Sequence, residues 1–216
     1  MSGDTPAAEG SRCDARRLRA AVDAATSWLI AHADEVDALN VYPVPDGDTG
    51  SNMSETMRAA CAEASATEEA TVGAFAAALA HGALMGARGN SGVILSQLLR
   101  GFAHSVRDAR TLTPLALAHA LQEASNTAYR AVMRPVEGTV LTVARLAGEE
   151  AARAVADRAE FPYVLQRTLD AARRALAETQ HQLPALQQAG VVDAGGRGYI
   201  LLLEGAEHRL QGKQDT

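Results

Sequence analysis

The sequence Leu18-Arg-Ala-Ala-Val-Asp-Ala-Ala-Thr-Ser-Trp-Leu29 predicts an α-helix with one buried face. Its apolar residues recur at spacings of three and four, which places them on one side of a helix. We expect this first helix to extend from Cys13 to Val36. No segment elsewhere in the sequence shows the sustained alternation of apolar and polar residues that is typical of a strand. The pattern therefore indicates an all-α fold.

The rest of the chain repeats helical patterns between short connections rich in glycine and proline. Helices are predicted from near Ser51 through Cys61, from Thr71 to Met85, from Val93, from Pro114 to Met133, from Gly138 to Ala156, from Tyr163 to Thr179 and after Gly198, with a short turn near Leu183. Thr113 and Pro114 are typical of an N-cap followed by a first-turn proline. About eight helices with short connections favour one bundle or helical barrel over separate domains.

The composition agrees with a cytoplasmic helical protein. Hydrophobic residues make up 47% of the chain and aromatic residues only 4%, so the core must consist mainly of Ala, Leu and Val. The formal net charge of −6 argues against a broad nucleic-acid-binding surface. Cys13 and Cys61 are too few for a disulfide framework and are expected to be free thiols. No apolar stretch approaches the roughly twenty residues that a membrane span needs.

The connection after the first helix contains the acidic segment Pro45-Asp-Gly-Asp-Thr-Gly50. Two carboxylates separated by one glycine can converge on a hard cation, although Asp and Gly are also common in ordinary turns. The segment directly precedes a predicted helix, where Thr49, Ser51 and Asn52 could cap the helix while its free amides face an anion. Because magnesium can bridge carboxylates and phosphate, the segment predicts a magnesium-phosphate site.

A second connection, Gly86-Ala-Arg-Gly-Asn-Ser-Gly92, also precedes a helix. Its three glycines permit close approach of the backbone to a phosphate chain, and Asn90 and Ser91 could add hydrogen bonds. Tight crossing of two helices would explain the glycines equally well. Arg88 could neutralise phosphate charge, but it could also be a solvated residue or a partner of a helix C-terminus.

A third glycine-rich segment, Val191-Val-Asp-Ala-Gly-Gly-Arg-Gly198, could contact a base or ribose through Asp193, or could be a helix cap followed by a new helix. Its glycine spacing is not that of a dinucleotide-binding fold, and no strand precedes it. The Walker and protein-kinase patterns are also absent from the sequence. Any chemistry with ATP must therefore use another fold.

Four segments together resemble the N-terminal, DhaL-like ATP-binding domain of bacterial fatty-acid kinase, which is related to the ATP-binding subunit of dihydroxyacetone kinase. They are Leu39–Met53, Met85–Ile94, Arg134–Thr142 and Ala189–Gly198. The resemblance covers nearly all the chain after its first ten residues. It implies an antiparallel eight-helix barrel at residues 11–212, with the nucleotide site in loops at one end. Residues 1–10 are expected to be a disordered N-terminal tail and residues 213–216 a C-terminal tail.

The same resemblance implies that the protein binds ATP or ADP with two magnesium ions. Asp46 and Asp48 would be metal ligands and catalytic residues, and Asn40 would occupy a third ligand position, where dihydroxyacetone kinases carry an aspartate. The residues that would contact phosphates are Thr49, Ser51, Asn52, Asn90, Ser91 and Gly92. Thr139 and Asp193 would lie nearer the nucleoside. Thr49 stands where the dihydroxyacetone kinases tend to have histidine, which favours the fatty-acid kinase branch.

The reaction implied by the resemblance is transfer of the γ-phosphoryl group of ATP to a fatty-acid carboxylate, giving an acyl phosphate. A carboxylate is already ionised near neutral pH, so this acceptor needs no general base. The expected partner is a DegV-type fatty-acid-binding carrier protein; a homodimer is left open, and neither a nucleic-acid partner nor a membrane span is expected. Two alternatives remain: a nucleotide subunit of a dihydroxyacetone kinase acting on a small ketose, and a nucleotide-binding regulatory domain without turnover.

Overall fold

Ten helices occupy the part of the chain that the computed structural model describes, residues 12–66 and 71–211. They are α1 (Ala15–Ala31), α2 (Ala33–Ala38), α3 (Thr49–Ser65), α4 (Val72–Met85), α5 (Gly89–Val106), α6 (Pro114–Ala131), α7 (Val140–Asp157), α8 (Phe161–Gln182), α9 (Pro184–Ala189) and α10 (Ala194–Leu210). The all-α prediction is confirmed. The predicted tails at residues 1–10 and 213–216 lie outside the described residues.

The eight long helices form a closed antiparallel barrel. Each packs on the next in the order α1, α3, α4, α5, α6, α7, α8 and α10, and α10 packs back on α1. Three apolar clusters fill the interior from one end of the barrel to the other, and alanines contribute many of their members. Small side chains let the helices approach closely: a Cβ atom at Gly101 of α5 would lie 2.4 Å from the carbonyl oxygen of Glu123 in α6.

Local capping explains where several of these helices begin. Asp14, Thr71 and Thr113 each accept a hydrogen bond from the backbone N–H three residues later, at the starts of α1, α4 and α6. Such caps satisfy an N–H group that has no partner within the helix. Pro114 occupies the first turn of α6, as the sequence predicts. The α4 and α6 boundaries are therefore confirmed within one or two residues.

Other boundaries differ from the predictions. The expected single helix from Cys13 to Val36 is wrong, because the chain turns at His32 and starts the short helix α2. The turn expected near Leu183 is followed by the short helix α9. Helix α5 already begins at Gly89, so Asn90, Ser91 and Gly92 belong to its first turn.

Most of the third glycine-rich segment is likewise helical, because α10 begins at Ala194. Its glycines serve helix packing: a Cβ atom at Gly198 would lie 2.6 Å from the sulfur of Met53. The glycines that suggested a loop are therefore contact points between helices. Among the described residues, no helix is both long and apolar enough to cross a membrane. Cys13 and Cys61 are free thiols.

Candidate functional site

All the residues predicted for the site lie at one end of the barrel. Because the long helices alternate in direction, the N-termini of α3, α5, α7 and α10 meet at the same end. Each predicted residue is located in the first turn of one of these helices or in the connection that precedes it. Helix N-termini carry a partial positive charge and free amides, which favour anions. The fold thus gathers four helix N-termini at the end of the barrel that carries the acidic connection.

The acidic connection, residues 39–48, joins α2 to α3. The side-chain amide of Asn40, which is buried, donates a hydrogen bond of 2.6 Å to Oδ1 of Asp46. Asp46 is exposed and Asp48 is half-buried. Gly47 between them has a φ of +67°, a left-handed conformation that glycine adopts without a steric penalty. The turn presents both carboxylates at the surface beside the start of α3.

Asp37, which the sequence reasoning missed, lies at the N-terminus of α3. Its Oδ1 accepts hydrogen bonds from the backbone N–H groups of Gly50 (2.6 Å) and Ser51 (3.2 Å). Its Oδ2 accepts one from the Ser51 hydroxyl at 2.7 Å. The expectation that these amides are free for an anion is therefore wrong, and the helix is capped from α2 rather than by its own first residues. The cap spans 13 residues, so no local motif reveals it.

The N-terminus of α5 lies directly against α3. The backbone N–H of Arg88 donates to Oγ1 of Thr56 at 3.1 Å. A Cβ atom at Gly89 would lie 2.3 Å from Nδ2 of Asn52, and one at Gly92 would lie 2.3 Å from Oγ1 of Thr56. The tight-crossing interpretation of these two glycines is thus confirmed. The same contacts bring Asn52 next to the start of α5, so the first two predicted loops form one surface.

Arg88 does not reach into that surface. Its Nε is 3.7 Å from Oε2 of Glu55, and both side chains are more than half exposed. An exposed ion pair at this distance contributes little to stability. The contact agrees with the interpretation of Arg88 as a solvated residue.

Asp193 joins the N-termini of α7 and α10. It is only 6% exposed, and its carboxylate accepts a hydrogen bond of 2.7 Å from the backbone N–H of Gly196 and another from the backbone of Val140. Its own N–H donates to Oγ1 of Thr179 at 3.0 Å. Burial raises the pKa of Asp193 to about 6, although these two hydrogen bonds oppose the shift. These contacts agree with the interpretation of Asp193 as a helix cap, here of α10.

The connection between α6 and α7 is held by Glu137, a second residue that the sequence reasoning missed. Its carboxylate accepts hydrogen bonds from the hydroxyls of Tyr129 (2.9 Å) and Thr142 (2.7 Å) and from Arg145 (3.0 Å). Burial raises the pKa of Glu137, but these three donors outweigh it and lower the pKa overall. In the same connection, the Thr139 hydroxyl donates to the carbonyl oxygen of Val136 at 2.8 Å.

The carboxylate and amide oxygens of the acidic connection are the kind of groups that bind magnesium, which does not need a complete set of protein ligands. No group of three His, Cys, Asp or Glu side chains within residues 12–66 and 71–211 could hold a metal ion by itself. Magnesium is usually bound by one or two carboxylates while phosphate oxygens and waters complete its shell. Asp46, Asp48 and the amide oxygen of Asn40 offer such a partial set. The arrangement can therefore receive a divalent cation together with a polyphosphate.

Comparison with known proteins places the chain among relatives of greater length. It is 42% identical over 200 residues to protein YloV of Bacillus subtilis (strain 168), covering 93% of this chain and 36% of that protein. It is 43% identical over 185 residues to an uncharacterized protein of Staphylococcus saprophyticus, covering 86% of this chain and 34% of that protein. The chain thus spans little more than a third of the length of these relatives.

The fold is similar to that of dihydroxyacetone kinase from C. freundii. The crystal structure of that kinase in complex with AMP-PNP and Mg2+ superposes with a TM-score of 0.64 at 19% identity, covering 95% of this chain and 36% of the kinase. Its native form gives a TM-score of 0.61 at 18% identity. Residues 43–208 match the model of the DAK2 domain, which includes the acidic turn and all four helix N-termini. Since this match extends over most of the chain, the protein belongs to the DAK2 domain family.

Proposed function

We propose that this domain binds ATP with magnesium at the acidic end of the barrel and transfers the γ-phosphoryl group to a fatty-acid carboxylate. The observation that carries the proposal is the Asp46-Gly47-Asp48 turn, which directly precedes α3. Asn52 in the first turn of α3 lies in turn against Gly89 at the start of α5. The similarity in fold to a kinase crystallised with AMP-PNP and Mg2+ supports it. ADP would occupy the same site after transfer.

Asp46 and Asp48 are the proposed catalytic residues and, with Asn40, the proposed ligands of two magnesium ions. Bound magnesium would neutralise phosphate charge and orient the transferred group. The proposed phosphate contacts are Thr49, Ser51, Asn52, Asn90, Ser91 and Gly92. The Ser51 hydroxyl donates a hydrogen bond to Asp37, so it can donate to a phosphate only if that hydrogen bond is broken. Thr139 lies on the proposed nucleoside side, where Asp193 would act by holding the N-termini of α7 and α10.

The acceptor we propose is a fatty acid presented by a DegV-type carrier protein, with an acyl phosphate as the product. An ionised carboxylate is a nucleophile without a general base, so positioning and charge neutralisation suffice. Thr49, at the place where dihydroxyacetone kinases tend to have histidine, supports this acceptor. The second candidate is phosphorylation of dihydroxyacetone, which the similarity to dihydroxyacetone kinase favours.

Calorimetric titration of magnesium-ATP into the wild type and an Asp46→Asn, Asp48→Asn variant tests the site. We expect the variant to lose about 100-fold in affinity, since even the groups that only orient metal ligands are worth about 10–100-fold. Asp108→Asn removes an acid that is 88% exposed at the opposite end of the barrel and is the matched control. Equal nucleotide affinity in all three proteins would remove the metal assignment.

The acceptor is tested by following ATP consumption by the wild type. Consumption with a lipid-loaded carrier but not with dihydroxyacetone supports the fatty-acid reaction. Consumption with dihydroxyacetone, alone or with a dihydroxyacetone-binding subunit, replaces it with the second candidate. Nucleotide binding without consumption in either case would favour a regulatory domain.

A further inference from the structure

We propose that Asp37 is a positioning residue that holds the acidic connection in the conformation required for metal binding. The inference rests on the proposed function, since it assigns Asp37 a role toward the magnesium site. Asp37 is not proposed as a ligand. Its carboxylate is directed at the backbone of α3, where it accepts hydrogen bonds from Gly50 and Ser51.

These hydrogen bonds tie together the two ends of the acidic connection. Asp37 lies in the last turn of α2, just before the connection starts, and Gly50 and Ser51 lie just after it ends. The intervening residues therefore form a loop that is closed at its base. Within that loop, the hydrogen bond from Asn40 to Asp46 makes a second closure. The backbone path of both proposed carboxylate ligands is thus set between two fixed points.

Close packing of α2 on α3 holds the Asp37 carboxylate in its place. A Cβ atom at Gly50 would lie 2.3 Å from the carbonyl oxygen of Ala33, so only glycine permits this contact. Val36, beside Asp37, is fully buried at 0% exposure. Helix α2 therefore cannot shift along α3 without losing buried contacts, and the carboxylate stays aligned with the N-terminal amides.

The consequence for metal binding follows from preorganisation. A carboxylate at a helix N-terminus is stabilised both by the amides and by the helix dipole. Without it, the base of the loop opens, and ordering the loop becomes part of the cost of binding the cation. Removing Asp37 should therefore weaken the metal-dependent part of nucleotide binding, whereas a residue that only stabilises the fold would change the melting temperature alone.

The experiment compares the wild type with Asp37→Ala, Asp37→Asn and Asp37→Glu in the full chain. Asp14→Ala is the matched control, because Asp14 makes the same kind of cap at the N-terminus of α1, at the opposite end of the barrel. The magnesium concentration for half-maximal ATP binding is measured by calorimetry. Amide hydrogen exchange at Gly50 and Ser51 is measured by NMR without metal, and thermal denaturation reports folding.

We expect Asp37→Ala to need about tenfold more magnesium, the equilibrium equivalent of one lost helix cap, and to exchange both amides faster. Asp14→Ala should bind as the wild type does, although it is also destabilised. Asp37→Asn keeps a hydrogen-bond acceptor on a side chain of the same length and should need about as much magnesium as the wild type. Asp37→Glu keeps the negative charge but displaces it, and should need more magnesium, as Asp37→Ala does. These two variants decide the matter even if Asp37→Ala does not fold.

The opposite order, with Asp37→Glu active in binding and Asp37→Asn impaired, would show that the charge acts directly and would overturn the positioning role. An unchanged magnesium requirement in Asp37→Ala would overturn it as well. If the wild type itself shows no magnesium-dependent ATP binding, the proposed function fails and not the inference alone. Faster exchange in Asp37→Ala without a changed magnesium requirement would leave Asp37 as an ordinary helix cap and refute the proposal.

Discussion

Replacement of Asp193 by asparagine should change how the stability of the barrel depends on pH. Asp193 is the buried carboxylate that joins the N-termini of α7 and α10, and burial raises its pKa from 3.8 to about 6. The asparagine side chain would keep an oxygen that accepts from the Gly196 N–H but would carry no charge to desolvate. The difference in stability between the two proteins therefore reports the free-energy cost of ionising the buried Asp193 carboxyl, apart from the hydrogen bond that the side chain accepts.

The sign of the effect follows from proton binding. Between about pH 4 and pH 6 the folded state keeps a proton on Asp193 that the unfolded chain releases. The contribution of this group to stability is fully present below pH 3.8 and is lost as the pH rises through about 6. One pKa unit corresponds to about 1.4 kcal/mol, so the full shift is worth up to about 3 kcal/mol of unfolding free energy.

Urea denaturation of both proteins at several pH values between about 4 and 7 measures this effect. We expect the wild type to lose up to about 3 kcal/mol relative to Asp193→Asn over that range. Glu35 and Glu123 oppose the trend, because hydrogen bonds from Arg197 and Arg130 lower their pKa values, but they are common to both proteins and cancel in the difference. Parallel profiles would mean that Asp193 is ionised throughout, and they would refute the raised pKa that burial implies.

Two further predictions concern packing. Gly89→Ala and Gly190→Ala both place a Cβ at positive φ, and each should lower the free energy of unfolding by about 1 kcal/mol. Of these two glycines only Gly89 lies against a side chain, that of Asn52. Gly89→Ala should therefore also weaken ATP binding in calorimetry, whereas Gly190→Ala should not. Equal ATP affinity in the two variants would contradict the assignment of that contact to the site. Phe75→Ala should lower the unfolding free energy by about 3–5 kcal/mol in urea, because Phe75 is 2% exposed in the core. Leu115→Ala, at 52% exposure, should change it by less than about 0.5 kcal/mol, and similar losses in both would argue against the described core.

The local pattern of the chain was enough to predict the fold class and most helices. Apolar spacing identified α4 and α6, and Thr113 with Pro114 marked the start of α6 to the residue, because caps and first-turn prolines act within a few residues. The acidic turn at Asp46 and Asp48 was also recognisable, since two acids around a glycine before a helix form a local signal. The resemblance to a DhaL-like domain, carried by four segments, agrees with the DAK2 match, whereas its fatty-acid kinase branch stays a prediction.

Contacts between distant residues were beyond that local pattern. Three such contacts join separate helices or their caps. Asp37 caps α3, the Asp193 carboxylate accepts a hydrogen bond from the backbone of Val140, and Gly89 packs against Asn52. Glycine was the most ambiguous residue, because a missing Cβ signals a loop locally but serves helix crossing in the folded barrel. The sequence by itself therefore determined the fold class, most of the helical segments and the connection that carries the two acids, whereas the packing of the helices decided which amides and carboxylates meet.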